Sequence, residues 1–450
     1  MKIYIIFIGL ILQFVISAIL FNTTNSISCF IYSSLISFLI CLYIVNANNL
    51  TLNFINPASI FLIGFLLFFL GRFISIIFDY SLLDEVFCLD FIFNYCLIDN
   101  QIFYIFFIIN LILVSFTFPF LHINKRLSKN IVEVNISNHK IQLLFCLTSI
   151  FLCYLIYSSI GNISKAISNG YLALYASQAM DYQPPYILLL NSFVYAGLAV
   201  LFVVKDRYPI YFKIAFFLFL ILLFSGILTG SRSSFITGFV ALCWLYFEKK
   251  QIKIFNLIII VSITGLIIYY INYLASISGA REISSGDNIV ANIATVFFGQ
   301  GVTLMVFNSS MYVQDYPILG AVKTIFPGSQ VFFPLFGYDN RASFDWSAFM
   351  TYNENKLAYL DGYGLGWSVF SDFYVLSMGF VPLFCFFIII FSKLLISVMY
   401  KDSSYKVGLF FIFMITFFTL SRESFSTLLF IIIIYTILCL MLGVLRIKRV

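Results

Sequence analysis

Apolar runs of about 20 residues, cut by short polar segments, recur along the chain. A run of that length is what a helix needs to cross a hydrocarbon core of about 30 Å. Twelve spans are predicted, near 3–21, 27–45, 58–78, 101–120, 141–160, 186–204, 209–228, 233–247, 254–274, 366–391, 407–420 and 426–445, the eighth and eleventh of them short. Only Lys2 precedes the first run and no small-residue cleavage site follows it, so it reads as a retained span. The stretch "IVANIATVFFGQGVTLMVF", 289–307, is long enough to compete as a further span. Counting it would invert every later element and put the basic end "RIKRV" outside. Its Asn292, Gly299, Gln300 and Gly301 suit instead a helix in the interface or a re-entrant segment held against protein.

Charge orients this pattern. Lys125, Arg126, Lys129 and Lys140 share one loop, Lys205 and Arg207 another, Lys249, Lys250 and Lys253 a third, and Lys393, Lys401 and Lys406 a fourth, with Arg446, Lys448 and Arg449 at the C-terminus. All fall on one face of the twelve-span arrangement, which places both termini in the cytoplasm. The net charge of +6 is therefore the sum of a basic inner face and an acidic outer one, and implies no nucleic-acid partner. With 62% hydrophobic and 10% charged residues and a mean hydropathy of +1.04, the chain is expected to be an all-α polytopic membrane protein. Residues 1–274 would hold nine helices with short loops, 275–365 a large outer (periplasmic) loop, and 366–450 the last three helices. No internal repeat or low-complexity tract is present.

Most lysines keep to the expected inner side, whereas four of the nine arginines do not. Arg232, Arg281, Arg341 and Arg422 all fall on the acidic outer face, and arginine's planar fork grips phosphate or carboxylate in two places at once. The plainer alternative is pairing with a near acid, Arg281 with Glu282 or Arg422 with Glu423, or snorkelling to the interface. Arg232 sits in "LTGSRSSFITGFV", cushioned by Thr229, Ser231, Ser233 and Ser234, and Arg422 sits in "LSRESFSTLLF", also among serines at an outer helix mouth. Within "DGYGLGWSVFSDFYVLSMGFVP", Asp372 is expected one or two turns below the outer surface, four residues from Ser368 on the same helix face. A carboxylate there is costly unless it is paired with an arginine or at work. Arg72 is the basic residue set well inside a span, with Asp79 as its expected partner. Cys88 and Cys96 share an outer loop and could form a disulfide in an oxidising compartment.

Several chemistries are excluded. The two histidines, His122 and His139, both lie in the basic loop, away from any outer site. No HExxH, GxxxxGK[ST] or GxGxxG occurs, so zinc hydrolysis and nucleotide binding have no support, and no cofactor is expected.

"TGSRSS" after a mid-chain span, a large outer loop late in the chain, "GLGWSVFSDFYVLSMGF" and "SRESF" before the last span together resemble the oligosaccharide repeat-unit (O-antigen) polymerases of the Wzy type, relatives of the O-antigen ligases. The ligases are expected to use a histidine in the large outer loop; none is present here, which favours a polymerase. The resemblance implies a GT-C-like membrane glycosyltransferase in the bacterial inner membrane. Such an enzyme moves a growing glycan from one undecaprenyl-pyrophosphate carrier onto the next lipid-linked repeat unit at the periplasmic face, beside a flippase and a chain-length regulator. Arg232, Arg281, Arg341 and Arg422 would then neutralise the pyrophosphate leaving group. Asp372 or Glu423 would act as base or orient an arginine, while Ser231 and Tyr374 would touch substrate. Tyr338, Trp346, Tyr352, Tyr359 and Tyr363 are further candidates for stacking on sugar rings. The rival readings are a ligase or other lipid-linked glycosyltransferase, and a flippase or twelve-helix carrier. Against the carrier stand its unmatched halves and the gathering of charge at one membrane face.

Overall fold

A computed structural model describes residues 2–24, 27–47, 55–90, 94–123, 136–169, 185–228, 232–247 and 289–444. The predicted ninth span, 254–274, lies outside the described residues, as do Ser231 and Arg281. Among the described residues the fold is helical apart from one two-stranded hairpin. Helices α1 (Lys2–Thr24), α2 (Ile27–Ala47), α3 (Pro57–Phe68), α4 (Gly71–Phe78), α5 (Asp99–Thr117), α6 (Asn138–Asn169), α7 (Pro185–Val203), α8 (Pro209–Leu228) and α9 (Arg232–Phe247) build the first part. The second part comprises α10 (Ile289–Gln300), α11 (Thr303–Tyr312), α12 (Ile318–Ile325), α13 (Trp346–Glu354), α14 (Lys356–Leu360), α15 (Val369–Leu376), α16 (Val381–Met399), α17 (Ser404–Leu420) and α18 (Phe425–Leu442).

Among the described residues nine helical stretches are long and apolar enough to cross a membrane, ten if the bent pair α3–α4 counts as one; Ser234–Phe247 and Ser404–Leu420 are apolar but shorter. This is a multi-pass membrane protein. At its centre stands α17, buried along most of its length between α3, α7, α9, α16 and α18. The close approach of α3 depends on Gly64, where an added Cβ would lie 2.2 Å from the Phe418 carbonyl oxygen. A polar ladder ties α1, α2 and α5: the Ser37 hydroxyl lies within hydrogen-bond distance of Gln13 Oε1, at 3.0 Å, and of Asn110 Oδ1, at 2.8 Å.

Two predicted spans are corrected. The third, 58–78, is broken: α3 and α4 meet at 63°. The tenth, 366–391, is two helices, because Met378 (φ 53°) and Gly379 (φ 75°) close α15 with a left-handed turn and Pro382 restarts the chain as α16. The crossing segment there is Val381–Met399, and Asp372 precedes it on the short α15. The stretch Val290–Tyr312 passes a test of length and apolarity for a span. Its first half nevertheless follows the broken helix: α10 packs along α4, Phe297 stacking on Phe78 at 5.9 Å and Gly301 seated where an added Cβ would lie 2.3 Å from the Arg72 amide.

The bend also redirects Arg72. Strands β1 (Cys88–Asp90) and β2 (Asn94–Cys96) pair antiparallel with Cys88 opposite Cys96, and the two cysteines form a disulfide, as their shared loop allows. Arg72, 4% exposed, donates to the carbonyls of Val86, at 3.0 Å, and of Cys88. Its expected partner Asp79 instead accepts from the Ser81 amide at 3.1 Å and hydroxyl at 2.6 Å, capping the next turn. The turn of α4 carries the guanidinium under the hairpin, so backbone oxygens take the place of the carboxylate. In intact cells a membrane-impermeant maleimide is expected to label Cys88 and Cys96 only after reduction. Labelling without reductant would show that the bridge is not formed, and none even with it would put the hairpin on the inner side.

Candidate active site

The segment between α11 and α15 folds into a small roof. Its organising residue is Asp345, 5% exposed, at the N-terminal cap of α13. One carboxylate oxygen, Oδ1, accepts from the amides of Ser347 at 3.1 Å and Ala348 at 3.4 Å. The other, Oδ2, accepts from Lys323 Nζ at 2.6 Å and Arg341 Nε at 3.1 Å. Burial alone would raise this carboxyl, but the charges and hydrogen bonds of Lys323 and Arg341 outweigh it and hold the group well below the usual carboxylate range. Asn340 fixes the turn that carries Arg341, its Oδ1 accepting from the Ala342 amide at 3.0 Å and the Tyr359 hydroxyl at 2.9 Å. Lys323 and Thr324 face inward from α12, whereas Ile318, Val322, Ile325 and the following Phe326 are exposed, the two-sided pattern of a helix lying in a membrane interface.

Beneath the roof, α15 starts at Ser368, whose hydroxyl accepts from the Ser371 amide at 2.9 Å. Ser368 therefore caps the helix and does not pair with Asp372. Asp372 is 1% exposed, and its carboxylate takes three neutral donors: Trp367 Nε1 on Oδ1 at 2.7 Å, with Ser424 Oγ at 2.8 Å and the Phe425 amide at 2.6 Å on Oδ2. Among the described residues no cation lies within ion-pair distance of it. Burial pushes this carboxyl up to about 6 against the opposing pull of the three donors.

These groups surround a cavity of about 350 Å³, whose wall includes Lys323, Arg341, Asp345, Asp372 and the indoles of Trp346 and Trp367. Trp346 is fixed by its own hydrogen bond to the Pro317 carbonyl at 2.9 Å. A second cavity, of about 450 Å³, opens between α6, α7, α8, α9, α17 and α18 and has Glu423 in its wall. Leu188 and Thr427 line both, so the two adjoin. Among the described residues no group of three or more His, Cys, Asp or Glu side chains is placed to hold a metal ion.

A family model described as O-antigen polysaccharide polymerase Wzy matches residues 3–450, the two cavities and the roof included. The chain belongs to that family. No curated protein and no solved structure matches it.

Set against the Wzy resemblance of the sequence, the predicted site residues divide. Arg341 and Asp372 meet at the roofed cavity, and Glu423 lies in the wall of the adjoining one. Arg422 turns the other way, its Nη1 donating to Gln300 Oε1 at 3.1 Å with the guanidinium over the Phe68 ring. Tyr374 points away from both cavities and shares a hydrogen bond with the Tyr104 hydroxyl at 3.0 Å. Arg232 begins α9, two residues before Ser234 and five before Thr237 of the second cavity, and its side chain is not described. Of the aromatic candidates Trp346 reaches the roofed cavity, while Tyr352 and Tyr359 pack edge to face at 5.5 Å in the roof's own small core. Lys323, Asp345 and Trp367 are cavity residues outside the predicted site residues, although Trp367 stands in the "GLGWSVF" run. The one usable signal was Asp345 followed by Trp346, Ser347 and Ala348, a helix-start pattern.

Gly320 supplies a direct test of the Trp346 wall. A Cβ there would come within 2.2 Å of Trp346 Nε1. Gly320→Ala is expected to push the indole off Pro317 and cut surface polymer several-fold while the protein still inserts, as read by immunoblot of membranes beside the glycan ladder. An unchanged ladder would remove Trp346 from the site.

Proposed function

We propose that this protein extends lipid-linked glycans at the periplasmic face of the inner membrane. It would transfer the growing chain from undecaprenyl pyrophosphate to the next lipid-linked repeat unit, with both of its own termini in the cytoplasm. The carrying observation is the roofed cavity: two cations are held by one buried carboxylate and flanked by two indoles. Lys323, Arg341 and Asp345 together carry one net positive charge on their side of the cavity, suited to a pyrophosphate leaving group that gathers charge as its bond to the sugar breaks. Indole faces suit sugar rings. Family membership supports the polymerase role. The disulfide supports the outward orientation, because the hairpin joins the roof side through Tyr95, whose hydroxyl donates to the Met305 carbonyl at 3.0 Å, and such bridges persist in oxidising compartments.

The test is the glycan ladder of a strain lacking the gene, complemented with wild type, Arg341→Ala or Arg232→Ala. Deletion is expected to leave single repeat units on the surface lipid with no ladder, wild type to restore the ladder, and Arg341→Ala to fail to. If deletion removed even the single unit, the lost step would be attachment or flipping, and the ligase or carrier reading would replace this one.

A further inference from the structure

The cavity beside Glu423 differs in chemistry from the roofed one. Its walls come from the helix bundle, yet Asn191, Tyr195, Thr237, Thr416 and Thr419 line it, and Glu423 is the one charged side chain among its described lining residues. Polar groups are expensive in such a bundle and mark the paths of polar ligands. Thr416 donates its hydroxyl proton to the Ile412 carbonyl at 2.8 Å, which leaves its oxygen as an acceptor, and the Thr419 hydroxyl lies within hydrogen-bond reach of both the Thr416 carbonyl, at 3.2 Å, and Glu423. Such walls poorly suit a lipid tail, and a carboxylate with no described cation in the lining disfavours a pyrophosphate. They suit a ligand rich in hydroxyls, and about 450 Å³ is within the range of small-molecule sites.

We propose that this cavity is the acceptor subsite, binding the terminal sugar of the incoming lipid-linked unit, with Glu423 taking the proton of the hydroxyl that is glycosylated. This rests on the polymerase reading above. The acceptor oxygen bonds to the donor's anomeric carbon as the bond from that carbon to the pyrophosphate oxygen breaks. The electron pair leaves with the pyrophosphate, and the hydroxyl proton passes to the Glu423 carboxylate, which releases it to water. The shared wall at Leu188 and Thr427 lets an acceptor beside Glu423 reach a donor held under Lys323 and Arg341. Asp372, which binds Ser424 and the Phe425 amide, fixes the two residues that follow Glu423 and is a positioning residue for it.

The test uses full-length protein in nanodiscs. The donor is lipid-linked polymer of the same repeat, and the acceptor is the single lipid-linked unit extracted from cells lacking the gene, each varied in turn. Thr237→Val and Thr416→Val are expected to raise the acceptor KM about tenfold, with donor KM and kcat within about twofold. Glu423→Gln should lower kcat about a hundredfold and flatten the acidic limb of the pH–rate profile. Should either threonine variant fail to incorporate, Asn191→Ala on α7 carries the same expectation. A rise in donor KM instead would make the cavity a donor or lipid site, and unmoved KM values would mean that it holds water alone. Either overturns the proposal. A wild-type protein that extends nothing would overturn the polymerase reading itself.

Discussion

Asp345→Asn is expected to erase the surface polymer almost completely, more than loss of either cation alone. The carboxylate serves three elements at once: it caps α13 through Ser347 and Ala348, anchors Lys323 from α12, and anchors Arg341 from the turn between them. An asparagine keeps the cap, since its carbonyl oxygen can accept from the same amides, but it turns an NH2 group toward two cations. Both are then left without a counter-charge beside a buried amide, and the roof loses the interaction that joins its parts. Asp345→Ala would also lose the cap, costing about 1 kcal/mol more. Arg341→Lys, which keeps charge but not the fork, should be intermediate. The ladder and the protease resistance of the 318–360 segment in membrane vesicles read the two effects separately. Acid should mimic the substitution. The folded-state pKa of Asp345 lies below the unfolded value, so its contribution to stability is complete above about pH 4 and drains away as pH falls further toward the folded value. Protease resistance of the roof should therefore weaken below about pH 4 in wild type and show much less of that dependence in Asp345→Asn. An Asp345→Asn ladder of normal length would separate the cation pair from function.

Much of this site follows from cost. A carboxylate near an apolar helix and an arginine on an acidic outer face are conspicuous because both are disfavoured, and that logic reaches Asp372, Arg341 and Glu423. It cannot give direction. Arg422 and Glu423 are neighbours in one turn, yet one side chain goes to Gln300 and the other to the second cavity, a choice made by packing of α10 and α18 rather than by local pattern. Lys323 escapes notice for the opposite reason: a lysine in a long polar segment costs nothing until the fold sets it 2.6 Å from a buried aspartate. Tyr374 has the motif spacing but faces Tyr104, since α15 is a separate short helix and not the top of a continuous span. Hydropathy reads runs of apolar residues, and neither the 63° break between α3 and α4 nor the turn at Met378 and Gly379 interrupts an apolar run strongly enough to be seen.

The second large effect is expected at Asp372, and it separates positioning from proton transfer. Trp367, Ser424 and the Phe425 amide all present donors to one carboxylate. Asparagine offers one acceptor oxygen and one NH2 group, so either the indole or the Phe425 amide must face another donor in a buried site, at about 1–3 kcal/mol. The start of α18 then shifts, and with it Glu423, so kcat should fall at least tenfold while acceptor and donor KM values change little. Were Asp372 itself the base, Asp372→Asn would flatten the acidic limb of the pH–rate profile. As a positioning residue it should leave that limb in place, carried by Glu423, whose own carboxyl is raised by burial against the pull of Thr419 and Arg422. Stability gives a second readout of opposite sign to Asp345. Burial lifts the folded Asp372 carboxyl to about 6, above its unfolded value, so the folded state keeps a proton that the unfolded chain has released between about pH 4 and 6. Wild type should lose stability as pH rises through that window, and Asp372→Asn should not. A flattened limb in Asp372→Asn together with an intact one in Glu423→Gln would exchange the two roles.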